Sequence, residues 1–173
     1  INQLITLTRM SEPEELVLSK VNFSEITKES ADSFKSVLAK DNKKYVVSID
    51  PDLYINAEQR SLLELVNILI DNAQKYCDPE GEVMVVLAKS RLNQNAVLTV
   101  TNSYKNGAGI DTNRFFERFY REDESHHYDQ KQKNGFGIGL SMAQDLVAAF
   151  GGKINASWSD GVMNFTVTFK RVH

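Results

Sequence analysis

At 173 residues and a formal charge of −3, the chain is long enough to close one domain around a sizeable core, and it has no general electrostatic pull toward nucleic acid or an anionic membrane surface. Hydrophobic residues at 42% and charged residues at 25% are ordinary for a globular protein in water, and no apolar run approaches the length of a membrane span. Cys77 is the only cysteine, which excludes an internal disulfide, and three histidines without ligand spacing argue against a structural zinc site.

In chain order, residues 1–10 place Leu4, Leu7 and Ile1 on one helical face, and the pattern stops near Ser11-Glu12-Pro13. This reads as the tail of a helix. Val21-Asn22-Phe23 is a short strand, followed by a helix capped by Ser24 that buries Ile26, Phe34, Val37 and Leu38. Lys44 to Ile49 is rich in β-branched residues and reads as a strand closed by Asp50-Pro51, with a brief extended piece at Leu53 to Ile55. The strongest helical signal runs from about Glu58 to Tyr76, where Leu62, Leu65, Val66, Leu69, Ile70 and Ala73 form one apolar stripe. Asn72 sits at the stripe's margin, and at about 100° per residue Ile68, Lys75 and Tyr76 share its flank. Such an asparagine is either hydrogen-bonded inside the fold or lines a pocket.

Two strands, Glu82 to Ala88 and Ala96 to Thr101, make a hairpin around Asn93-Gln94-Asn95. Regular patterning then fails from Asn102 to Asn134, apart from the aromatic cluster Phe115 to Arg121, and a loop that long in a compact domain is functional or disordered. A helix over Ser141 to Phe150 buries Leu140, Ala143, Leu146, Val147 and Phe150 and stops at Gly151-Gly152. The last hairpin alternates through Ile154, Ala156 and Trp158, turns at Asp160-Gly161, and alternates back through Met163, Phe165, Val167 and Phe169. Hairpins imply antiparallel neighbours, so the expected fold class is α/β: a two-layer sandwich of a mixed, mostly antiparallel sheet with helices on one face. A Rossmann fold does not fit, because its glycine turn follows the first strand, and no Gly-x-x-x-x-Gly-Lys-Ser/Thr sequence occurs.

Asn134-Gly135-Phe136-Gly137-Ile138-Gly139-Leu140 runs directly into the helical pattern that begins at Ser141. Glycines at alternate positions strip side chains where a helix starts, which lets phosphate oxygens approach the unpaired N–H groups of a helix N-terminus. By itself this also suits a hinge.

Together these residues resemble the ATP-binding catalytic domain of bacterial sensor histidine kinases, whose Bergerat fold is shared in outline with gyrase, Hsp90 and MutL. The resemblance covers roughly residue 20 to the end. Leu69 to Tyr76 is similar to the N box, Asn106 to Asp111 to the first glycine box, Arg114 to Arg121 to the F box and Gly135 to Leu140 to the second glycine box. Each is weak alone, but four in order are specific.

The resemblance implies cofactors ATP and Mg²⁺, with Asn72 contacting the Mg²⁺ that bridges the phosphates, Lys75 reaching phosphate oxygens and Tyr76 lying along the nucleotide. It assigns nucleotide contacts to Gly107, Gly109, Gly135, Gly137, Gly139 and Leu140. Arg118 and Arg121 would approach the γ-phosphate or hold the ATP lid, about 102–134, in which Phe115, Phe116 and Phe119 are hydrophobic anchors. His126 and His127 receive no role. Residues 1–12 resemble the end of the dimerisation and phosphoacceptor helix, which places the phosphoacceptor histidine upstream. The chain starts at Ile1 rather than at a methionine and is read as a piece of a longer protein. Implied partners are its own dimerisation domain, as a homodimer, and a response regulator, with no nucleic acid and no membrane contact by this segment. The implied location is a cytoplasmic domain of a protein anchored in the bacterial membrane.

Two departures from the family pattern matter. The aspartate that accepts the adenine amino group is missing: an ungapped match puts Lys105 there, whereas counting along the strand puts Asn102 there, and Asn102 is preferred because its amide oxygen can accept. The glutamate that activates water in hydrolytic relatives is replaced by Ile68, which cannot act as a base. The competing readings are a degenerate kinase domain working as a protein-interaction module with little nucleotide binding, and a gyrase- or MutL-like ATPase.

Overall fold

A computed structural model describes residues 16–117 and 136–173. In chain order these form β1 (Ser19–Asn22), α1 (Phe23–Ser33), α2 (Lys35–Lys40), β2 (Lys44–Ile49), β3 (Tyr54–Ala57), α3 (Gln59–Tyr76), β4 (Glu82–Lys89), β5 (Ala96–Ser103), a 3-10 turn (Thr112–Phe116), α4 (Phe136–Ala149), β6 (Lys153–Ser159) and β7 (Val162–Phe169). Five strands make the main sheet in the order β2-β4-β5-β7-β6, with β2 parallel to β4 and every other pair antiparallel. The remaining two, β1 and β3, pair antiparallel as a separate ribbon. This is the expected mixed α/β sandwich.

Strict alternation explains the layering. Along β4, β5 and β7 every second residue is buried, so Val83, Val85 and Leu87, then Ala96, Leu98 and Val100, then Met163, Phe165, Val167 and Phe169 share the helix-facing side. Against them α3 sets Leu62, Leu65, Val66, Leu69, Ile70 and Ala73, all fully buried. Phe169 meets Phe23 of α1 edge-on at 5.5 Å and Phe150 at 6.2 Å, which seats the ends of α1 and α4 on β7.

Several local expectations are corrected. The first strand is Ser19–Asn22, and Phe23 already belongs to the helix. Asn22 rather than Ser24 is the N-cap, its Oδ1 accepting from the Glu25 N–H at 3.1 Å. Ser24 is buried and spends its hydroxyl on tertiary structure, donating to the Asp50 carbonyl at 2.6 Å and accepting from the Leu53 N–H at 3.0 Å. The helix that follows breaks at Phe34, which turns Val37 out to 40% exposure while Leu38 stays fully buried. The extended piece before α3 lies at Tyr54–Ala57. The second glycine-box helix begins at Phe136 rather than Ser141, so Gly137 and Gly139 lie in its first turn instead of before it. Its end follows expectation: Gly152 N–H donates to the Val147 carbonyl and Gly151 N–H to the Ala148 carbonyl, the pair of bonds that closes a Schellman motif.

Glu58 caps α3, accepting from the Arg60 N–H at 2.8 Å and from the Ser61 N–H and hydroxyl at 3.1 and 2.6 Å. Partial burial pushes its carboxyl up, but those hydrogen bonds outweigh burial and hold it below its ordinary value. A depressed folded pKa stabilises above the unfolded value and the contribution disappears as pH falls through the folded one. Glu58→Ala is therefore expected to cost about 0.5–2 kcal/mol at neutral pH, with the gap between variant and parent closing in acid, as urea denaturation at several pH values would register.

Candidate nucleotide site

The candidate site is built from α3 and the end of β5, which pack against each other. Asn72 comes from the expected flank of α3 and is 4% exposed, and its Oδ1 has no hydrogen-bond partner among the described residues. Asn102 ends the buried row of β5, in register with Val83 and Met163, and is 1% exposed. Its Nδ2 donates to the Ser103 carbonyl at 3.1 Å, which turns the amide so that Oδ1 is the free end, and that oxygen too is unpartnered. A buried carbonyl oxygen left unpaired costs about 1–3 kcal/mol; Thr27 Oγ1 on α1 is the other buried side-chain atom without a partner among the described residues. Asn72 is thus buried at the margin of the α3 stripe with an oxygen that has no partner among the described residues.

Lys75 and Tyr76 close the last turn of α3, Lys75 pairing with Asp71 at 3.2 Å. The segment after α3 is tied to the end of β5: the Asp78 N–H donates to the Ser103 carbonyl at 2.9 Å, and Asp78 Oδ2 accepts from the Lys105 N–H at 2.8 Å. Lys105 itself is exposed, whereas Asn102 is buried. The end of α3 and the end of β5 are thus brought together.

Each glycine has its own physical reason. Gly107 is buried under the Trp158 indole, and a Cβ there would come within 2.2 Å of the ring. Gly109 has φ +85°, which a side chain would strain, with open space around it. Gly139 lies against Ile68, where a Cβ would rest 3.7 Å from a methyl carbon, so the first turn of α4 packs beside the Asn72 flank. Gly137 lies in that same turn. Leu140, expected at the nucleotide, is 8% exposed and belongs to the hydrophobic core. Arg118, Arg121, Gly135 and Phe119 lie outside the described residues, as do residues 1–12. Phe115 and Phe116 do anchor the start of the expected lid, packing on Phe165 at ring distances of 6.1 and 6.2 Å.

Sequence reasoning missed the contribution of Trp158 and Asp78. Trp158 was legible only as an inward residue of a hairpin; its Nε1–H donates to the Tyr104 carbonyl at 2.6 Å, across 54 positions of chain.

The buried oxygen of Asn72, without a partner among the described residues, is the kind of hard donor that Mg²⁺ takes. Among the described residues no three His, Cys, Asp or Glu side chains gather to hold a metal. An ion at Asn72 would therefore take one amide oxygen from α3 and fill its shell with water and phosphate, as Mg²⁺ prefers.

Comparison with known proteins agrees with this architecture. Residues 57–173 match the family of histidine kinase-, DNA gyrase B- and HSP90-like ATPases, and the chain belongs to that family. It is 39% identical over 103 residues to the sensor protein CiaH of Streptococcus pneumoniae, covering 58% of this chain and 21% of CiaH. It is 28% identical over 157 residues to the sensor protein DltS of Streptococcus agalactiae, covering 90% of this chain and 38% of DltS. It is 31% identical over 125 residues to the sensor histidine kinase WalK of Bacillus subtilis, covering 69% of this chain and 19% of WalK. The chain thus spans well under half the length of these relatives. Among solved structures, the catalytic domain of histidine kinase ThkA superposes with a TM-score of 0.71 at 19% identity, covering 90% of this chain and 96% of that one. A mycobacterial sensor histidine kinase, MprB, gives 0.70 at 22% identity, covering 90% and 98%. These two share the fold.

Proposed function

We propose that the chain is the ATP-binding catalytic domain, residues 20–173, of a sensor histidine kinase, and that it delivers the γ-phosphoryl group of ATP to a histidine on an upstream dimerisation domain. The observation that carries the reading is that the amide oxygens of Asn72 and Asn102 are both buried and without a partner among the described residues, which suits a metal-phosphate contact at the first and an adenine contact at the second. Asn72 would hold Mg²⁺, which when bound neutralises phosphate charge. Lys75 adds a cation beside the phosphates, and Tyr76 flanks the nucleotide. Gly107 and Gly109 shape the turn after Asn102, and Gly135, Gly137 and Gly139 would let phosphate oxygens approach the N-terminus of α4. Arg118 and Arg121 supply guanidinium forks to the γ-phosphate from the lid.

The transfer asks little covalent chemistry of these residues. An imidazole nitrogen attacks phosphorus as the bond to the β–γ bridging oxygen breaks and ADP leaves, so the domain's work is positioning and charge neutralisation. Ile68, partly buried against Gly139, offers no base for water, which weighs against a gyrase- or MutL-like hydrolase. The whole protein would be a membrane-anchored homodimer whose kinase part faces the cytoplasm, with a response regulator as acceptor. No helix among the described residues is long and apolar enough to cross a membrane.

Calorimetric titration with a non-hydrolysable ATP analogue, with and without Mg²⁺ and with GTP as competitor, tests the reading. Saturable, Mg²⁺-assisted and adenine-selective binding is expected, because an oxygen at Asn102 accepts from the amino group of adenine but meets the carbonyl of guanine. Asn102→Ala should lower the preference for ATP over GTP about tenfold, the worth of one buried hydrogen bond. A folded chain that ignores nucleotide at millimolar concentration would instead mark the protein-interaction module.

A further inference from the structure

We propose that Trp158 is a positioning residue for the nucleotide site, acting through the turn between Asn102 and the start of the lid; this rests on the function proposed above. The turn from Ser103 to Gly109 is exposed at Lys105, Asn106, Ala108 and Gly109, yet its main chain is held at four points. Two bonds run to the segment after α3: the Ser103 carbonyl accepts from the Asp78 N–H and the Lys105 N–H donates to Asp78 Oδ2. The other two run to the β6–β7 hairpin: the Tyr104 N–H donates to the Gly161 carbonyl at 2.7 Å, and the Tyr104 carbonyl accepts from Trp158 Nε1–H at 2.6 Å. Trp158 also covers Gly107 so closely that no larger residue fits beneath the ring.

The register explains why this ring matters to Asn102. Asn102 stands opposite Met163, and Met163 stands opposite Trp158, so all three occupy one row across β5, β7 and β6. One end of Trp158 is fixed to that row through the sheet, and its indole reaches back to the turn that leaves it. Asn102 and the glycine turn are thereby braced as two corners of one frame, with the ring as the strut between them. Here the ring is half-buried, and its single polar atom is committed to the turn.

Trp158→Phe keeps an aromatic ring but removes the N–H donor together with the part of the indole that lies over Gly107, and thermal unfolding of the 173-residue chain reports how much stability that lost packing costs. Calorimetry with the Mg²⁺-bound ATP analogue should show affinity about tenfold weaker, with a reduced preference over GTP, a readout that a packing role would not move. Trp158 is also the only tryptophan in the chain, so its emission in the parent protein should change on nucleotide addition with the calorimetric affinity. Binding by the parent together with unchanged affinity and preference in a folded Trp158→Phe overturns the role. If Trp158→Phe does not fold, parent emission decides: a change that tracks saturation supports the strut, and constant emission through saturation overturns it. Absence of nucleotide binding by the parent removes the site reading and the strut with it.

Discussion

Asn72→Ala is expected to abolish Mg²⁺-dependent binding of ATP while leaving the fold nearly as stable as before. The two halves of that expectation come from one observation, the buried Oδ1 of Asn72 with no partner among the described residues. A structural asparagine would lose stability on truncation, because its neighbours would keep unsatisfied groups. Here truncation removes an unsatisfied acceptor, and the change in unfolding free energy should stay within about 1 kcal/mol. Affinity for Mg·ATP should fall at least a hundredfold, equivalent to about 2.7 kcal/mol. In EDTA, parent and variant should converge, since the difference lies in the metal ligand. Calorimetry with and without Mg²⁺ measures the first half and urea denaturation the second. Undiminished binding would remove Asn72 from the site, and a large loss of stability would make it a structural residue.

How far the sequence already contained this site depends on which contacts are local. The stripe Leu62 to Ala73 recurs at helical spacing, so α3 and the flank holding Asn72, Lys75 and Tyr76 were readable to within one residue of the observed helix. Asn102 came from the family pattern and its acceptor oxygen; the strand was expected to stop at Thr101, whereas β5 runs on to Ser103 and its alternation turns Asn102 inward with Val100 and Leu98. What failed was set by contacts distant in sequence. Ser24 has good capping chemistry, but the Asp50 carbonyl and Leu53 N–H claim its hydroxyl, and Asn22 takes the cap. The start of α4 was placed five residues late because glycine is a poor helix former, and the contact of Gly139 with Ile68 lies outside any local window. Gly107 looked like a phosphate glycine, yet its want of a side chain has a second cause in Trp158, on a strand 51 positions later. No periodicity encodes that neighbour.

Phe165→Ala should be among the most destabilising single substitutions in the sheet, and it should weaken nucleotide binding by a route that a second core variant lacks. Phe165 is 1% exposed at the centre of β7, opposite Val100 on one side and Ala156 on the other. Deleting a buried phenyl ring costs about 3–5 kcal/mol, a large part of the roughly 5–15 kcal/mol that holds a domain together. Phe165 also carries two of the aromatic anchors of the proposed lid, Phe115 stacked at 30° and Phe116 edge-on at 82°. Phe169, on the same face of the same strand, is 2% exposed and meets Phe23 and Phe150 instead. Phe169→Ala should therefore cost similar stability without releasing the lid. Denaturation curves give the folded fraction of each variant, and ATP affinity corrected for that fraction separates the two effects. An equal loss of corrected affinity in both would mean that nucleotide binding follows global stability. A loss confined to Phe165→Ala would mean that the 3-10 turn at Thr112–Phe116 must be seated on the sheet before the lid can meet the phosphates.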